Sequence, residues 1–263
     1  DGLPQVNHPF DVSFSTRYNS EFWDMVEIFE SMEIWNGATP FAAGTINAKA
    51  FKKWLSLLDE GKRLTATTGS DTHNIYGDDY FGMTEWLDWL MDIVMKHPEI
   101  YPVHMNENVA YLTWLYNKVW PRLLSWVEQS NTPSTIHNYV YTNGKNQPQE
   151  ILQAIREGHS FISNGPLVTA EVNGVSYGEK AVLKDRTGTL SVHVFSKKPI
   201  NHLWMYTGAD KKVELCAKAD AAEGGFMYDI AADELDFGDA AWVLFVADGG
   251  ENNLAISNPI LFA

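Results

Sequence analysis

Two hydrophobic patterns divide this chain. Up to about residue 164, short apolar runs alternate with segments whose apolar residues recur every three or four positions. Beyond that point, apolar and polar residues alternate with period two. Helical spacing predicts helices, and strict alternation predicts half-buried strands. The pattern therefore predicts an α/β domain over residues 1–164, followed by an antiparallel β-sandwich domain over 165–263.

The first domain is predicted to begin with strands and one clear helix. Residues 3–8 predict a short strand, and a second strand is favoured over 32–35. Residues 47–60 predict a helix, with Asn47 as a candidate N-cap and Gly61 at the C-terminal cap. The apolar positions of that helix are Phe51, Trp54, Leu55 and Leu58. A strand-like run at 64–66 follows, and this alternation of strands and helix favours a parallel sheet.

The rest of the chain carries a helical insertion, one more helix and several strands. Residues 84–130 are rich in Trp and predict helices inserted into the first domain. Pro148 is expected to open a helix that stops at Gly158. The strands of the sandwich are predicted at 167–172, 190–195, 202–206, 226–230 and 242–246.

Composition narrows the classes of partner. The net charge is −15 and there is no Lys or Arg cluster, so binding to nucleic acid or to an anionic membrane is not expected. No apolar run reaches the length of a membrane span. Cys216 is the single cysteine, which excludes an internal disulfide framework and a cysteine metal cluster. The compartment stays open, with an exported or periplasmic location favoured over the cytoplasm.

The candidate chemistry lies at the ends of the apolar runs. Asp71 and His73 are two residues apart, so on an extended segment both side chains point the same way. A carboxylate and an imidazole together suit zinc, iron or manganese. His8 and Glu33 also end short apolar runs, which is where α/β barrels carry their functional residues. Four potential metal ligands are thus His8, Glu33, Asp71 and His73.

Each candidate also has a purely structural interpretation. His8 could be a strand-end histidine that donates to a backbone carbonyl. Asp71 could be a helix N-cap or turn residue, and Glu33 a solvated strand end. His137 is a further candidate for which the structural interpretation is preferred.

Several short motifs, taken in order, add to this interpretation. They are Asn7-His8-Pro9, Glu33-Ile34-Trp35-Asn36-Gly37, Thr68-Gly69-Ser70-Asp71-Thr72-His73, Ile151–Gly158 with Ser160–Pro166, and Ala255–Ile260. This ordered set resembles the PHP (polymerase and histidinol phosphatase) superfamily. The closest likeness is to its CehA/McbA-like metallohydrolases.

The resemblance implies a fold and an activity. It implies a distorted β/α barrel with divalent metal, namely zinc, manganese or iron, at the C-terminal strand ends. It also implies hydrolysis of a small-molecule phosphoester, or a related ester or amide, by a metal-activated water. By motif position, His8, Asp71 and His73 correspond to catalytic and metal residues, and Glu33 to an additional metal ligand.

One family feature is absent from the sequence. The family opens with a His-x-His strand, and no such motif occurs here. We therefore expect residues 1–164 to be the C-terminal part of a partial PHP-type domain. The remaining strands would come from a missing N-terminal half or from another chain.

A second function belongs to a different class. The chain could be a non-catalytic binding module whose β-sandwich binds carbohydrate or protein. That hypothesis requires Trp204 and Trp242 to be exposed, whereas we expect both to lie in the core.

Overall fold

The computed structural model describes residues 2–10, 20–37, 41–70, 136–215, 219–250 and 253–263. The chain divides into two units, one formed by residues 1–69 with 135–263 and the other by 70–134. All of the described helices and strands belong to the first unit. Asp71, His73 and the predicted insertion over 84–130 lie outside the described residues. No helix in the described part is long and apolar enough to cross a membrane.

A three-stranded parallel sheet begins the first unit. Its strands, in spatial order, are β1 (Gln5–Val6), β2 (Ser31–Asn36) and β3 (Thr65–Gly69). A short helix α1 (Ser20–Asp24) and a 3-10 turn (Val26–Ile28) precede β2, and helix α2 (Ile46–Asp59) connects β2 to β3. The predicted strands are confirmed, although β1 is shorter than expected and β3 continues to Gly69.

Helix α2 packs its apolar face on this sheet. Trp54, Leu55 and Leu58 are buried, as the helical spacing predicts, and the Trp54 indole donates to the Leu64 carbonyl at 2.7 Å. Gly61 follows the helix with φ +80°, a conformation that glycine adopts without steric cost.

The N-cap predicted at Asn47 is wrong. Thr45 takes that position, and its Oγ1 accepts the Ala48 N–H at 3.3 Å. Thr and Asn are both good N-caps, so two suitable residues lie close together at the start of this helix. Asn47 lies inside the first turn, where its amide accepts the Asn36 N–H at 2.8 Å and donates to the Asn36 carbonyl at 3.0 Å.

Two largely antiparallel sheets complete the unit, and the larger one includes one parallel pair of short strands. The strands before residue 165 are β4 (His137–Val140) and β5 (Ser160–Ser163), with helix α3 (Pro148–Arg156) between them. The later strands are β6 (Leu167–Val172), β7 (Lys180–Ala181), β8 (Thr187–Ser196), β9 (His202–Gly208), β10 (Lys211–Glu214), β11 (Ala219–Ala222), β12 (Gly225–Asp236), β13 (Trp242–Asp248), β14 (Leu254–Ser257) and β15 (Ile260–Phe262). The helix predicted from Pro148 and the five predicted strands are confirmed.

The larger sheet contains strands from both sides of residue 165. Its order is β10-β9-β13-β14-β5-β4, and β15 pairs with β13 and with β7. The smaller sheet has the order β11-β12-β8-β6. The sandwich is therefore formed by strands after residue 165 together with β4 and β5. A domain boundary at residue 165 stays a prediction.

Strand β13 contributes to two hydrophobic cores. Trp242, Leu244 and Val246 belong to the core that includes α2 and the parallel sheet. The residues between them belong to the core between the two antiparallel sheets; they are Val243, Phe245 and Ala247. Successive side chains of a strand point to opposite faces, so one buried strand connects the two layers.

Two asparagine side chains occupy the outer edge of β3. The Asn258 amide accepts the Ala66 N–H at 2.7 Å and donates to the Ala66 carbonyl at 3.2 Å. The Asn138 amide does the same for Thr68, at 3.0 and 2.8 Å. Backbone groups at a buried sheet edge require partners, and here side chains from the larger sheet and its connections supply them.

Asn258 provides the first testable consequence. Its amide is fully buried and also donates to the Ser160 carbonyl at 3.0 Å. We expect Asn258→Ala to lower the free energy of unfolding by about 3 kcal/mol, because several buried backbone groups lose their partners. Chemical denaturation measures this. The exposed Asn146→Ala is the matched control, expected to change stability by less than about 0.5 kcal/mol; equal effects of the two variants would contradict the bridging role.

Three tyrosines, of which Tyr177 is buried and Tyr141 and Tyr206 are partly exposed, predict a loss of stability at alkaline pH. Burial raises the pKa of Tyr177 well above its usual range, and raises the pKa of Tyr141 to about 12. Burial and the nearby Asp248 carboxylate raise the pKa of Tyr206. The unfolded chain therefore loses these protons first, and the free energy of unfolding should fall as pH rises from about 10 through about 12.

A single substitution tests the origin of this fall. Tyr141→Phe removes one titrating hydroxyl, together with its hydrogen bond to the Val168 carbonyl at 3.3 Å. We expect a small loss of stability at pH 7 and a shallower decline above pH 10, measured by denaturation at a series of pH values. An unchanged slope above pH 10 would show that Tyr141 does not contribute to the decline.

Candidate functional site

The carboxyl ends of the three parallel strands lie at the same end of their sheet. His8 follows β1 by two residues, Glu33 lies in β2, and β3 ends at Gly69. Because the strands are parallel, residues at these ends lie near one another. Other α/β folds form their sites at the carboxyl ends of the strands.

The carboxylate of Glu33, the third residue of β2, reaches this end of the sheet between β1 and β3. The Glu33 side chain is buried, with the residue only 5% exposed, and its Oε2 accepts the backbone N–H of His8 at 2.5 Å. Its Oε1 lies 3.0 Å from the position that a Cβ on residue 69 would occupy. One buried carboxylate is therefore in contact with the ends of both neighbouring strands, and glycine at position 69 leaves room for it.

A β-bulge directly follows Glu33. Glu33 pairs with Thr67 and Trp35 with Thr68, so Ile34 is the extra residue of β2. Bulges bend a strand and change the direction of the side chains beside them, and they are common next to functional sites.

A hydrogen-bonded set of polar side chains lies on neighbouring positions of the sheet. Gln5 Oε1 accepts from the hydroxyls of Thr67 and Ser31, at 2.9 and 3.3 Å, and Gln5 Nε2 donates to Asn7 Oδ1 at 2.6 Å. Ser31 and Thr67 are buried. Such contacts limit the movement of side chains around the Glu33 carboxylate.

His8 has an unusual backbone conformation. Its φ is +26°, whereas most residues other than glycine avoid positive φ. This conformation accompanies the hydrogen bond from its N–H to Glu33. Its half-buried imidazole makes no hydrogen bond or ion pair in the described part of the chain, so the predicted structural alternative, donation to a backbone carbonyl, is not observed there.

The four predicted ligands thus have different outcomes. His8 and the Glu33 carboxylate lie at the same end of the sheet. The Glu33 side chain is buried, so it is not exposed to solvent as the structural interpretation predicted. Asp71 and His73 follow β3 in the sequence but lie outside the described residues. Within the described residues no group of three or more His, Cys, Asp or Glu side chains could hold a metal ion. The carboxylate of Glu33 and the imidazole of His8 are nevertheless suitable ligand types for zinc, manganese or iron.

His137 is the neighbour of Asn138, whose amide hydrogen-bonds the Thr68 backbone near the end of β3. His137 lies on β4 with an exposed side chain, and its ring is 6.1 Å from that of Tyr139. The structural interpretation preferred from the sequence stays a prediction.

Sequence reasoning missed the supporting residues. Gln5, Ser31 and Thr67 received no role, nor did Asn138 and Asn258. A weak signal existed, because Ser31 with Glu33 and Thr65 with Thr67 place polar residues two apart in the predicted strands.

A pocket of about 370 Å³ lies at the opposite end of β3, around Thr65. Several of its charged groups have partners within or beside the pocket. Arg156 Nε donates to Glu30 at 2.7 Å, and the His159 nitrogens lie 3.6 and 3.9 Å from carboxylate oxygens of Glu157 and Glu179. These contacts join the turn after α3 to its surroundings and do not indicate a particular ligand.

The two tryptophans that the binding-module hypothesis requires to be exposed differ in burial. Trp242 is buried in the core, which confirms the expectation for that residue. Trp204 is half-buried, with Lys212 Nζ 3.9 Å from its ring centroid and the His202 ring stacked beside it at 5.1 Å. One of the two side chains required for a binding platform is therefore inaccessible.

Comparison with known proteins gives no relative: no protein-family model, curated protein or solved structure matches this chain. The likeness to the PHP superfamily rests on the quoted motifs and stays a prediction.

The contact between Gly69 and Glu33 is open to a direct test. We expect Gly69→Ala to lower the free energy of unfolding by about 1–3 kcal/mol, because its Cβ crowds the Glu33 carboxylate. Gly2→Ala is the control, since a Cβ at residue 2 has no atom within 4 Å. In a double-mutant cycle, Gly69→Ala should cost less in a Glu33→Ala background. An identical cost in both backgrounds would rule out the contact as the cause.

Proposed function

We propose that this chain is part of a metal-dependent hydrolase that acts on phosphoesters or related esters and amides. The observation that supports it best is the buried Glu33 carboxylate, held by the His8 backbone at the carboxyl ends of three parallel strands. A buried carboxylate hydrogen-bonded to the backbone of a histidine, whose imidazole has no hydrogen-bond partner in the described residues, is a suitable start for a divalent metal site.

The proposed ligands are Glu33, Asp71 and His73, with His8. A divalent metal held there would polarise the scissile group and lower the pKa of a coordinated water to about 7. Glu33 supplies a negatively charged oxygen whose position is fixed by the His8 N–H and by Gly69. The His8 imidazole either binds the metal or polarises the scissile group of the substrate.

Charge supports a cation at this site. The chain has a net charge of −15, and a phosphoester is itself anionic. A bound cation reverses the local field and allows an acidic protein to bind an anionic substrate.

The most informative variant is Glu33→Gln. Glutamine keeps an oxygen that can accept the His8 N–H but removes the charge. We expect the fold to be retained, measured by circular dichroism and denaturation, and the bound metal to be lost, measured by elemental analysis after loading with zinc, manganese or ferrous ion. Hydrolysis of bis(p-nitrophenyl) phosphate should fall at least about 100-fold, which corresponds to about 3 kcal/mol.

The metal content of further variants tests the proposed set of ligands. Asp71→Ala and His73→Ala should lower metal content as Glu33→Gln does, whereas the exposed His137→Gln should not. Full metal content and wild-type rates in Asp71→Ala would refute the ligand set. Absence of metal both in this chain and in a version extended upstream, after loading with each of the three ions, would favour the binding-module hypothesis instead.

A further inference from the structure

Three side chains of the smaller sheet form a hydrogen-bonded chain that the proposed function does not use. The Ser191 hydroxyl lies 2.9 Å from His193 Nε2, and His193 Nδ1 lies 2.5 Å from Asp229 Oδ1. The His193 and Asp229 side chains are more than half exposed. A nucleophile, a base and an orienting carboxylate are thus connected in the order found in serine hydrolases.

The sheet register brings these residues together. Ser191 and His193 are two apart on β8 and therefore share one face. Asp229 lies on β12 directly opposite His193. The arrangement depends on the pairing of β8 with β12, so residues that are distant in sequence meet at one place.

We propose that Ser191 is an activated nucleophile that takes the acyl group of small neutral esters. With the tautomer that carries its proton on Nδ1, His193 donates to Asp229 and accepts the Ser191 hydroxyl proton. Asp229 is a positioning residue, because it acts on the substrate through His193.

The neighbouring rows of the sheet define the substrate class. Ala231 lies opposite Ser191 on β12, so the residue paired with the nucleophile carries only a methyl side chain. On the other side of His193, Phe195 pairs with Leu167 and Met227 to form an apolar row on the same face. A leaving group protonated by His193 would lie towards that row, which favours an aryl or other apolar alcohol.

Charge and backbone geometry limit this reaction. Glu171 lies opposite Ser191 on β6, so an anionic substrate is disfavoured. Strand β8 pairs on both edges, and its N–H groups are engaged in those ladders rather than available as an oxyanion hole. Loss of one oxyanion donor costs other serine enzymes about 100- to 1,000-fold, so we expect acylation with slow turnover.

The reaction can be written in full. Ser191 Oγ forms a bond to the ester carbonyl carbon while its proton passes to His193 Nε2. The carbon–oxygen bond to the leaving group then breaks, and the alcohol leaves with that proton. Water later hydrolyses the acyl-serine, again through His193, and yields the carboxylic acid and free Ser191.

The test uses p-nitrophenyl butyrate with the full chain in the presence of EDTA. We expect an initial release of one p-nitrophenol per chain, and a mass increase of one butyryl group that peptide mapping assigns to Ser191. Insensitivity to EDTA separates this activity from the proposed metal-dependent hydrolysis, so either one can fail alone. Labelling at another residue, or no labelling above that of the urea-unfolded chain, would overturn the inference.

Variants assign the roles. Ser191→Ala and His193→Gln should abolish the initial release, while thermal unfolding stays unchanged because the residues are on the surface. His202→Gln is the matched control: His202 makes a similar exposed pair with Glu214 at 2.7 Å, on the larger sheet. A burst retained by Ser191→Ala, or lost equally in His202→Gln, would count against Ser191.

The positioning role of Asp229 has to be tested by a measurement that a purely structural role would not change. We expect Asp229→Asn to slow the acylation at least about tenfold while leaving one labelled site per chain. Nitrogen-detected NMR of the His193 ring should show the Nδ1–H tautomer in the wild type and its loss in Asp229→Asn. Asp229→Glu should restore part of the rate. Wild-type acylation in Asp229→Asn would exclude Asp229 from the positioning role.

Discussion

The structure depends above all on the hydrogen bonds made by the backbone groups on the outer edge of β3. In the described part of the chain the three-stranded parallel sheet is not paired strand to strand with the larger sheet, and the backbone groups of Ala66 and Thr68 on this edge still require partners. The amides of Asn258 and Asn138 supply both a donor and an acceptor to each residue. The end of β3 is thereby fixed, and with it Gly69, which limits the space available to Glu33.

The β-sandwich and the parallel sheet are therefore mechanically connected. Strand β13 contributes alternate side chains to both cores, and Asn258 comes from the connection between β14 and β15. Loss of packing in the sandwich would release the groups that hold β3. The sandwich thus braces the candidate site, whatever reaction that site performs, and this is a structural role distinct from ligand binding by its exposed face.

Periodicity predicted most of the elements, because helices and half-buried strands repeat a local pattern. It could not predict the asparagine bridges, since a single side chain that pairs with a distant strand leaves no periodic signal. It also misplaced the N-cap of α2, where Thr45 and Asn47 are both chemically suitable and only the contact with Asn36 decides. Glu33 was found by its position at the end of an apolar run, but the bulge that follows it depends on pairing with β3. The chain from Ser191 to Asp229 could not be read from sequence, because it requires the register of β8 with β12.

The two candidate chemistries are placed in environments of different polarity. Around Glu33, burial lowers the effective dielectric constant, so interactions with a cation or a developing charge are stronger than in water. The surrounding hydroxyls and amides are already hydrogen-bonded to one another, so little reorganisation is needed when a charge is bound. Around Ser191, water competes for each hydrogen bond, and the N–H groups of β8 are engaged in pairing rather than free to stabilise an oxyanion. The proposed metal site at the buried end of the parallel sheet would therefore be suited to demanding hydrolysis, whereas the proposed reaction of Ser191 would be limited to esters whose leaving group is already good.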